Sequence, residues 1–258
     1  MLIATWNVNS LKARLPRVEE WAERVQPDVL CMQETKMADA DFPLLTFQEM
    51  GYEAVHHGEG RWNGVAILSR VGIADVVYGF ADGIEPDTDA RLVTATCGGV
   101  RVLTVYVPNG RSLEDDHYQY KLSWLARLRA HLDAVADPAN DVVVLGDWNI
   151  APEDRDVYDP KAFEGATHVS DRERKALDEI KGFGLVDVFR QRYEVDGLYS
   201  WWDYRGGNFH KKMGLRIDYL LASRSLAARS VSDLVDRNAR KGQKPSDHAP
   251  VLGLFSDA

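Results

Sequence analysis

The amino-acid sequence predicts a mixed α/β protein whose sheets are covered by helices on their outer sides. Short apolar runs bounded by Gly, Pro, Asn and Asp recur along the chain, as strands do. Amphipathic stripes of helical period interrupt them. Many runs also follow one another with no helix between, which a strict βαβ series does not allow.

The strand-like runs are Leu2–Trp6, Val29–Gln33, Val65–Ser69, Ile73–Tyr78, Leu92–Thr96, Val102–Val107, Val142–Leu145, Arg216–Leu221 and Val251–Phe255. Leu15, Val18, Trp21 and Val25 repeat at helical spacing, and Pro27 stops that helix. A longer stripe runs through Tyr118, Leu122, Leu125, Leu128, Leu132 and Val135 and closes at Pro138. A third helix is predicted over Arg172–Lys181, with Gly182 and Gly184 just beyond it. Trp6-Asn7-Val8 is echoed by Trp148-Asn149-Ile150, each after an apolar strand, which suggests a duplicated half.

The chain has 258 residues, 45% of them hydrophobic, and no linker or low-complexity tract divides it. A single domain over 1–258 is therefore expected. No segment approaches the ~20 apolar residues that span a bilayer. The start, MLIATWNVNSLKAR, lacks the pattern of a secretion leader, so a cytoplasmic protein with no membrane contact is expected. Cys31 and Cys97 lie in strand-like runs and read as buried small hydrophobes, not a disulfide framework.

The net charge of −9 argues against a polyanionic partner when taken alone. Its distribution argues differently. The window Arg205–Lys244 holds ten basic and three acidic residues, net +7, which leaves −16 for the rest. Such asymmetry lets one surface attract a polyanion while others repel it.

The ends of the apolar strands carry the chemistry. Asn7, Glu34 and Tyr106 each follow a buried run; Asp147 and Asn149 follow another; Asp218 precedes one, and Asp247-His248 lead into the last. If these ends share one rim, four carboxylates, two amides, a phenol and an imidazole converge there. Clustered carboxylates stay ionised only beside a compensating cation. Oxygen donors without thiolate suit Mg²⁺, with Mn²⁺ as an alternative. His248 reads either as a ligand or as the partner of a carboxylate in proton transfer. Such a set fits phosphoester hydrolysis.

The motifs Trp6-Asn7-Val8-Asn9, Gln33-Glu34-Thr35-Lys36, Asn63-Gly64-Val65-Ala66-Ile67, Tyr106-Val107-Pro108-Asn109-Gly110, Gly146-Asp147-Trp148-Asn149-Ile150, Ser200-Trp201-Trp202-Asp203-Tyr204-Arg205, Gly214-Leu215-Arg216-Ile217-Asp218-Tyr219 and Ser246-Asp247-His248-Ala249-Pro250 span nearly the whole chain. In this order they resemble the exonuclease III class of abasic-site endonucleases, within the endonuclease/exonuclease/phosphatase superfamily that includes deoxyribonuclease I.

The resemblance implies a four-layered α/β sandwich with two central mixed β-sheets flanked by helices. It implies that Glu34 holds Mg²⁺ with help from Asn7 and Asp247, with Asp147, Asn149 and His248 completing the candidate ligand set. Asp147 and Asn149 would also orient the attacking water and the scissile phosphate. Asp218 would pair with His248, and Tyr106 would contact the phosphate. Asp147 and His248 are both candidates for the general base, and Asp147 is preferred.

The substrate implied is double-stranded DNA, cut 5′ to abasic sites or trimmed at 3′ ends by a monomeric enzyme. Trp201, Leu215 and Ile217 would form the abasic pocket. A normal base is excluded from it because extruding that base from the stack costs a few kcal/mol. One of Trp201 and Trp202 is expected in the core. Arg61, Arg91, Asn109, Arg111 and Lys121 are candidate backbone-phosphate contacts. The acidic segment from Pro152 to Asp171 matches none of these motifs and is expected to alter which DNA forms are accepted. Two other readings compete: a phospholipid or inositol-phosphate enzyme of the same superfamily, and a catalytically silent DNA-binding module.

Overall fold

The computed structural model describes residues 1–257. Among them are β1 (Leu2–Asn7), β2 (Val29–Gln33), β3 (Glu53–His57), β4 (Val65–Ser69), β5 (Ala74–Tyr78) and β6 (Leu92–Cys97). They continue as β7 (Val100–Tyr106), β8 (Val142–Asp147), β9 (Leu185–Asp187), β10 (Asp218–Ser223), β11 (Ser230–Val235) and β12 (Val251–Phe255). One six-stranded sheet has the order β11-β12-β1-β2-β4-β3 and the other β5-β6-β7-β8-β10-β9.

Side-chain alternation sorts these strands into layers. Ile3, Cys31 and Ile67 of the first sheet meet Val102, Leu145 and Leu220 of the second in the core between the sheets. Their neighbours face outward. Ala4, Leu30 and Met32 pack against Val18, Trp21 and Ala22 of helix Leu11–Val25. Leu103, Val144 and Leu221 pack against Trp124, Leu128 and Leu132 of helix Asp116–Val135, and against Leu177 and Ile180 of helix Asp171–Lys181. The result is helix, sheet, sheet, helix: the expected four-layered sandwich. Cys31 and Cys97 are free thiols in the central core. No helix among the described residues is long and apolar enough to cross a membrane.

The two sheets are built alike. β1 pairs parallel with β2 and antiparallel with β12; β8 pairs parallel with β7 and antiparallel with β10. The echo of Trp6-Asn7 in Trp148-Asn149 thus falls at the ends of equivalent strands. This pairing also places the C-terminal ends of β1, β2, β7 and β8 beside the N-terminal ends of β10 and β12 on a common rim.

Three strands escape a reading of hydrophobic runs: β3, β9 and β11. Each is the edge of a sheet or next to nothing beyond it, so none needs the apolar character of a central strand. The run expected at Arg216–Leu221 starts at Asp218 instead. The backbone before it turns away from β8: Leu215 pairs with Trp201, and the Arg216 N–H donates to Asp156 O.

Arg216 also corrects the charge reading. Its side chain is buried, bonded through Nε to Asp156 Oδ1 (2.6 Å) and through Nη2 to Asp187 Oδ2 (2.8 Å). Arg240 is buried as well and donates to Ser246 O. Two of the ten basic residues in the C-terminal window are therefore internal.

Asp156 takes a second guanidinium, that of Arg190. Burial pushes its carboxyl up, but Arg216 and Arg190 outweigh burial and hold it below the ordinary range. The unfolded chain titrates near ~3.9. Ionised Asp156 therefore stabilises the fold in full above that pH, and the contribution is lost as pH falls from there through the lower folded value. Urea unfolding from pH 7 down to pH 3 should show this acid loss in the wild type and a flatter profile in Asp156→Asn. At pH 7 that variant should be less stable by about 3–5 kcal/mol, the cost of breaking a buried pair.

Candidate active site

The central core becomes polar as it approaches the rim. Inward positions of β1 run Ile3, Thr5, Asn7, and those of β8 run Val143, Leu145, Asp147. Below the rim, Gln33 Nε2 donates to Thr5 Oγ1 (2.9 Å) and across the sheets to Thr104 Oγ1 (3.0 Å). One layer higher, Asn7 Nδ2 donates to Glu34 Oε1 (2.9 Å) and to Asp147 Oδ2 (2.8 Å). The sheets are thus joined at the site by directional bonds, which set positions more narrowly than apolar packing does.

Register does the rest. Asp147 lies opposite Tyr106 on β7 and Asp218 on β10. Gly146, just before it, has φ 152°, and a Cβ there would come 1.9 Å from Val105 O. Only glycine lets β8 run this close to β7. Beyond the strand ends, Glu34 (φ 50°), Asn149 (φ 50°) and His168 (φ 79°) are all left-handed. Such backbone costs of order 1–3 kcal/mol per residue and persists where its surroundings over-determine it.

Glu34, Tyr106, Asp147, Asn149, Asp247 and His248 meet around one cavity of about 230 Å³. Trp201, Leu215, Ile217 and Phe163 form its apolar wall, and Asn109 and His168 complete it. His248 Nδ1 donates to Asp218 Oδ2 (2.8 Å), while its Nε2 lies 3.8 Å from Asp147 Oδ2. Ser200 Oγ donates to the same Asp218 oxygen (2.6 Å) and accepts the N–H of Ile217 and of Asp218. Asp247 Oδ1 accepts from Asn9 Nδ2 and its Oδ2 from Trp201 Nε1.

Electrostatics separates the two candidate bases. Burial opposes a charge on His248, but Asp218 and then Asp147 outweigh it and hold the imidazole up to about 10. Burial pushes the Asp147 carboxyl up to about 7, against the pull of His248 and with the repulsion of Asp218 and Glu34. Near neutral pH the imidazolium has no free lone pair, whereas Asp147 is poised to exchange a proton. Burial raises the Tyr106 phenol well above its usual value, as do the charges of Glu34 and Asp147, so it is a neutral donor. Asp247 resists burial through the His248 charge and its two donors, and it stays ionised.

Glu34, Asp147 and His248 each offer a ligand atom, all within 4.8 Å of one another. The two carboxylates, in a site where like charges raise Asp147, fit a divalent cation, while His248 offers a lone pair to it only when neutral. The other expected ligands make hydrogen bonds of their own, as Glu34 and Asp147 also do. Asn7 Oδ1 accepts from Asn9 N, so Asn7 serves the carboxylates as a donor. Asn149 Nδ2 donates to Val107 O, and its Oδ1 faces Asn109 and His168. Both Asp247 oxygens already accept hydrogen bonds.

The expected phosphate contacts divide. Arg61, Asn109 and Arg111 are exposed. Arg91 is covered: Nε donates to Asp89 Oδ2 (2.8 Å), and its guanidinium lies 4.6 Å from the centre of the Tyr106 ring. Lys121 is a clear correction. It is fully buried, and its ammonium is bound to Glu173 Oε1 (2.5 Å), Asn149 O (2.6 Å) and Asn109 O (3.3 Å). It cannot reach a DNA backbone. Trp202 is the core tryptophan, and Trp201 faces the cavity.

Four residues at the site were missed. Asn9 and Lys36 stand inside quoted motifs, and Lys36 Nζ lies 2.7 Å from Glu34 Oε2. Phe163 and His168 come from the acidic segment that no motif covers. Burial and then the Lys121 charge keep the His168 imidazole neutral, down to about 3.

The endonuclease/exonuclease/phosphatase family model matches residues 4–248, and the chain belongs to that family. It is similar to exodeoxyribonuclease III of Haemophilus influenzae, 33% identical over 267 residues, covering 99% of this chain and 100% of the relative. Its structure is similar to an AP endonuclease from Archaeoglobus fulgidus (38% identical, TM-score 0.96, both chains covered in full). It is also similar to an aspartate-to-asparagine variant of the 3′ phosphatase NExo from Neisseria bound to a product DNA hairpin (40% identical, TM-score 0.95, both covered in full).

Asp218 should be what holds His248 charged. In Asp218→Asn, the imidazole is expected to titrate much nearer the ordinary histidine value of ~6.5. NMR titration of the metal-free protein measures this; an unmoved titration would remove Asp218 from that role.

Proposed function

We propose that this enzyme is a Mg²⁺-dependent DNA repair nuclease that cuts the backbone 5′ to an abasic sugar and trims 3′ ends. The observation that carries the reading is the cavity itself. Asp147, Glu34 and His248 face one another beside an apolar wall of Trp201, Leu215 and Ile217. The names of relatives matched over their full length support DNA as the substrate.

Each residue has a separable task. Asp147 accepts the proton of the attacking water. Asn7 and the Asn149 N–H, which donates to Asp147 Oδ1 (3.0 Å), hold the two Asp147 oxygens. His248, kept cationic by Asp218, and the neutral Tyr106 donate to non-bridging phosphate oxygens. Glu34 with Asp147 would hold a divalent cation, which would supply charge neutralisation at the phosphate and at the leaving 3′ oxygen. The apolar wall accepts a sugar without a base and gives a stacked base no reason to leave the duplex.

A second activity, hydrolysis of a 3′ phosphate, is favoured by one observation. Phe163 and His168 help to line a cavity of about 230 Å³, which suits a compact terminal group, and the similar NExo is described as a 3′ phosphatase.

Matched duplexes carrying an abasic site, a 3′ phosphate or a plain recessed 3′ end, each with Mg²⁺ or EDTA, test both statements. Nicking at the abasic site that EDTA abolishes is expected. Binding without cleavage of any of the three would refute the nuclease reading. Asp147→Asn should lose at least ~10³-fold in kcat with DNA binding retained, as when a group acting only in the transition state is removed. Glu34→Ala should raise the Mg²⁺ concentration needed for half-activity.

A further inference from the structure

The cavity wall that carries Asn109, Asn149 and His168 comes from three separate loops: 107–111, 147–151 and 165–170. No strand pairs them with one another. Direct backbone bonds join them in pairs, Val107 N to Asp147 O (2.9 Å) and Ala151 N to His168 O (2.7 Å), and all three converge on a buried ion pair that the chemistry above does not use. Lys121, from helix Asp116–Val135, and Glu173, from helix Asp171–Lys181, have no exposed side-chain surface.

All three ammonium hydrogens of Lys121 have an acceptor. They go to Glu173 Oε1 (2.5 Å) and to the main-chain oxygens of Asn149 (2.6 Å) and Asn109 (3.3 Å). Glu173 gathers the third loop. Its Oε1 accepts from His168 N (3.0 Å) and lies 2.8 Å from Thr167 Oγ1; its Oε2 accepts from Ser170 N (3.1 Å). Thr167 Oγ1 in turn lies 3.0 Å from Asn109 O. One cation and one anion therefore hold the backbone of all three loops directly behind their cavity-facing side chains.

A fully desolvated pair of this kind is weak evidence for stability, since apolar residues of similar size often do as well. What apolar residues cannot do is tie two carbonyl and two amide groups in fixed directions. Asn149 and His168 need such ties, because both have left-handed backbone.

We propose that Lys121 and Glu173 are positioning residues for catalysis: the pair sets Asn149 and His168 at the reacting phosphate without touching substrate. This rests on the reading, implied by the family resemblance, that Asn149 helps to orient the scissile phosphate.

The test measures kcat and KM for abasic nicking, together with thermal midpoints, in Lys121→Met, Glu173→Gln and the double variant. Each single variant leaves its partner's charge buried and should unfold at a lower temperature. The double variant removes both charges and should regain most of the lost midpoint. Its kcat should nevertheless stay down by roughly 10- to 100-fold, the scale of a small misplacement at a reacting centre, with KM little changed. A double variant that regains wild-type kcat along with its midpoint would show the pair to be structural only.

Thr167 provides a milder arm in case the double variant does not fold. Thr167→Val loses the hydroxyl between Asn109 O and Glu173 and should lower kcat several-fold; Thr167→Ser keeps the hydroxyl and should restore it. Equal kcat in Thr167→Val and the wild type also overturns the proposal. Asn149→Ala tests the reading beneath the proposal: a large loss of kcat there supports it, full activity would overturn it and with it the part of the proposal that runs through Asn149, whereas wild-type kcat in the double variant overturns the pair's role alone.

Discussion

The site depends on strand register around Asp147. Its neighbours across the sheet, Tyr106 and Asp218, point to the same face because paired residues share a face. A slip of one residue in β8 would turn Asp147 outward among Trp124 and Leu128 and bring Gly146 or Trp148 to the rim. Gly146 forbids that slip, because a residue with a Cβ in its place would meet Val105 O. The close approach of β8 to β7 therefore aims the carboxylate.

Placing charge at the end of a buried strand has electrostatic consequences. Asp147 is desolvated by the core that aims it, and Asp218 and Glu34 repel it further. His248 answers with a positive charge made durable by Asp218. The arrangement divides labour between two groups that the residue types alone leave equivalent: a carboxyl raised by burial and an imidazole held in its charged form by Asp218. Ser200 lies beneath both, joining Asp218 to the backbone of the apolar wall. A shift in the wall is felt at once by the imidazole's partner.

Much of this was legible in the residues. Central strands are nearly continuous apolar runs, so their ends were found within a residue or two, and the polar groups at those ends were found with them. Edge strands such as β3 and β11 carry too little apolar signal to be seen that way. Lys121 misled for a physical reason: a lysine on a helix beside the site is normally solvated, and only the position of Glu173, 52 residues further on, makes its burial tolerable. His168 was invisible because a single histidine in an acidic loop has no period or spacing to mark it.

Two things thus have different origins. The identity of the chemistry was decided locally, by oxygen-bearing side chains that terminate runs too apolar to be anything but buried strands. Its final form was decided by contacts between residues far apart in the chain. Which carboxylate is raised, which imidazole is charged, and which cation lies inside the wall and not on the surface all follow from desolvation and neighbouring charge. Those quantities exist only once the two sheets have closed on each other.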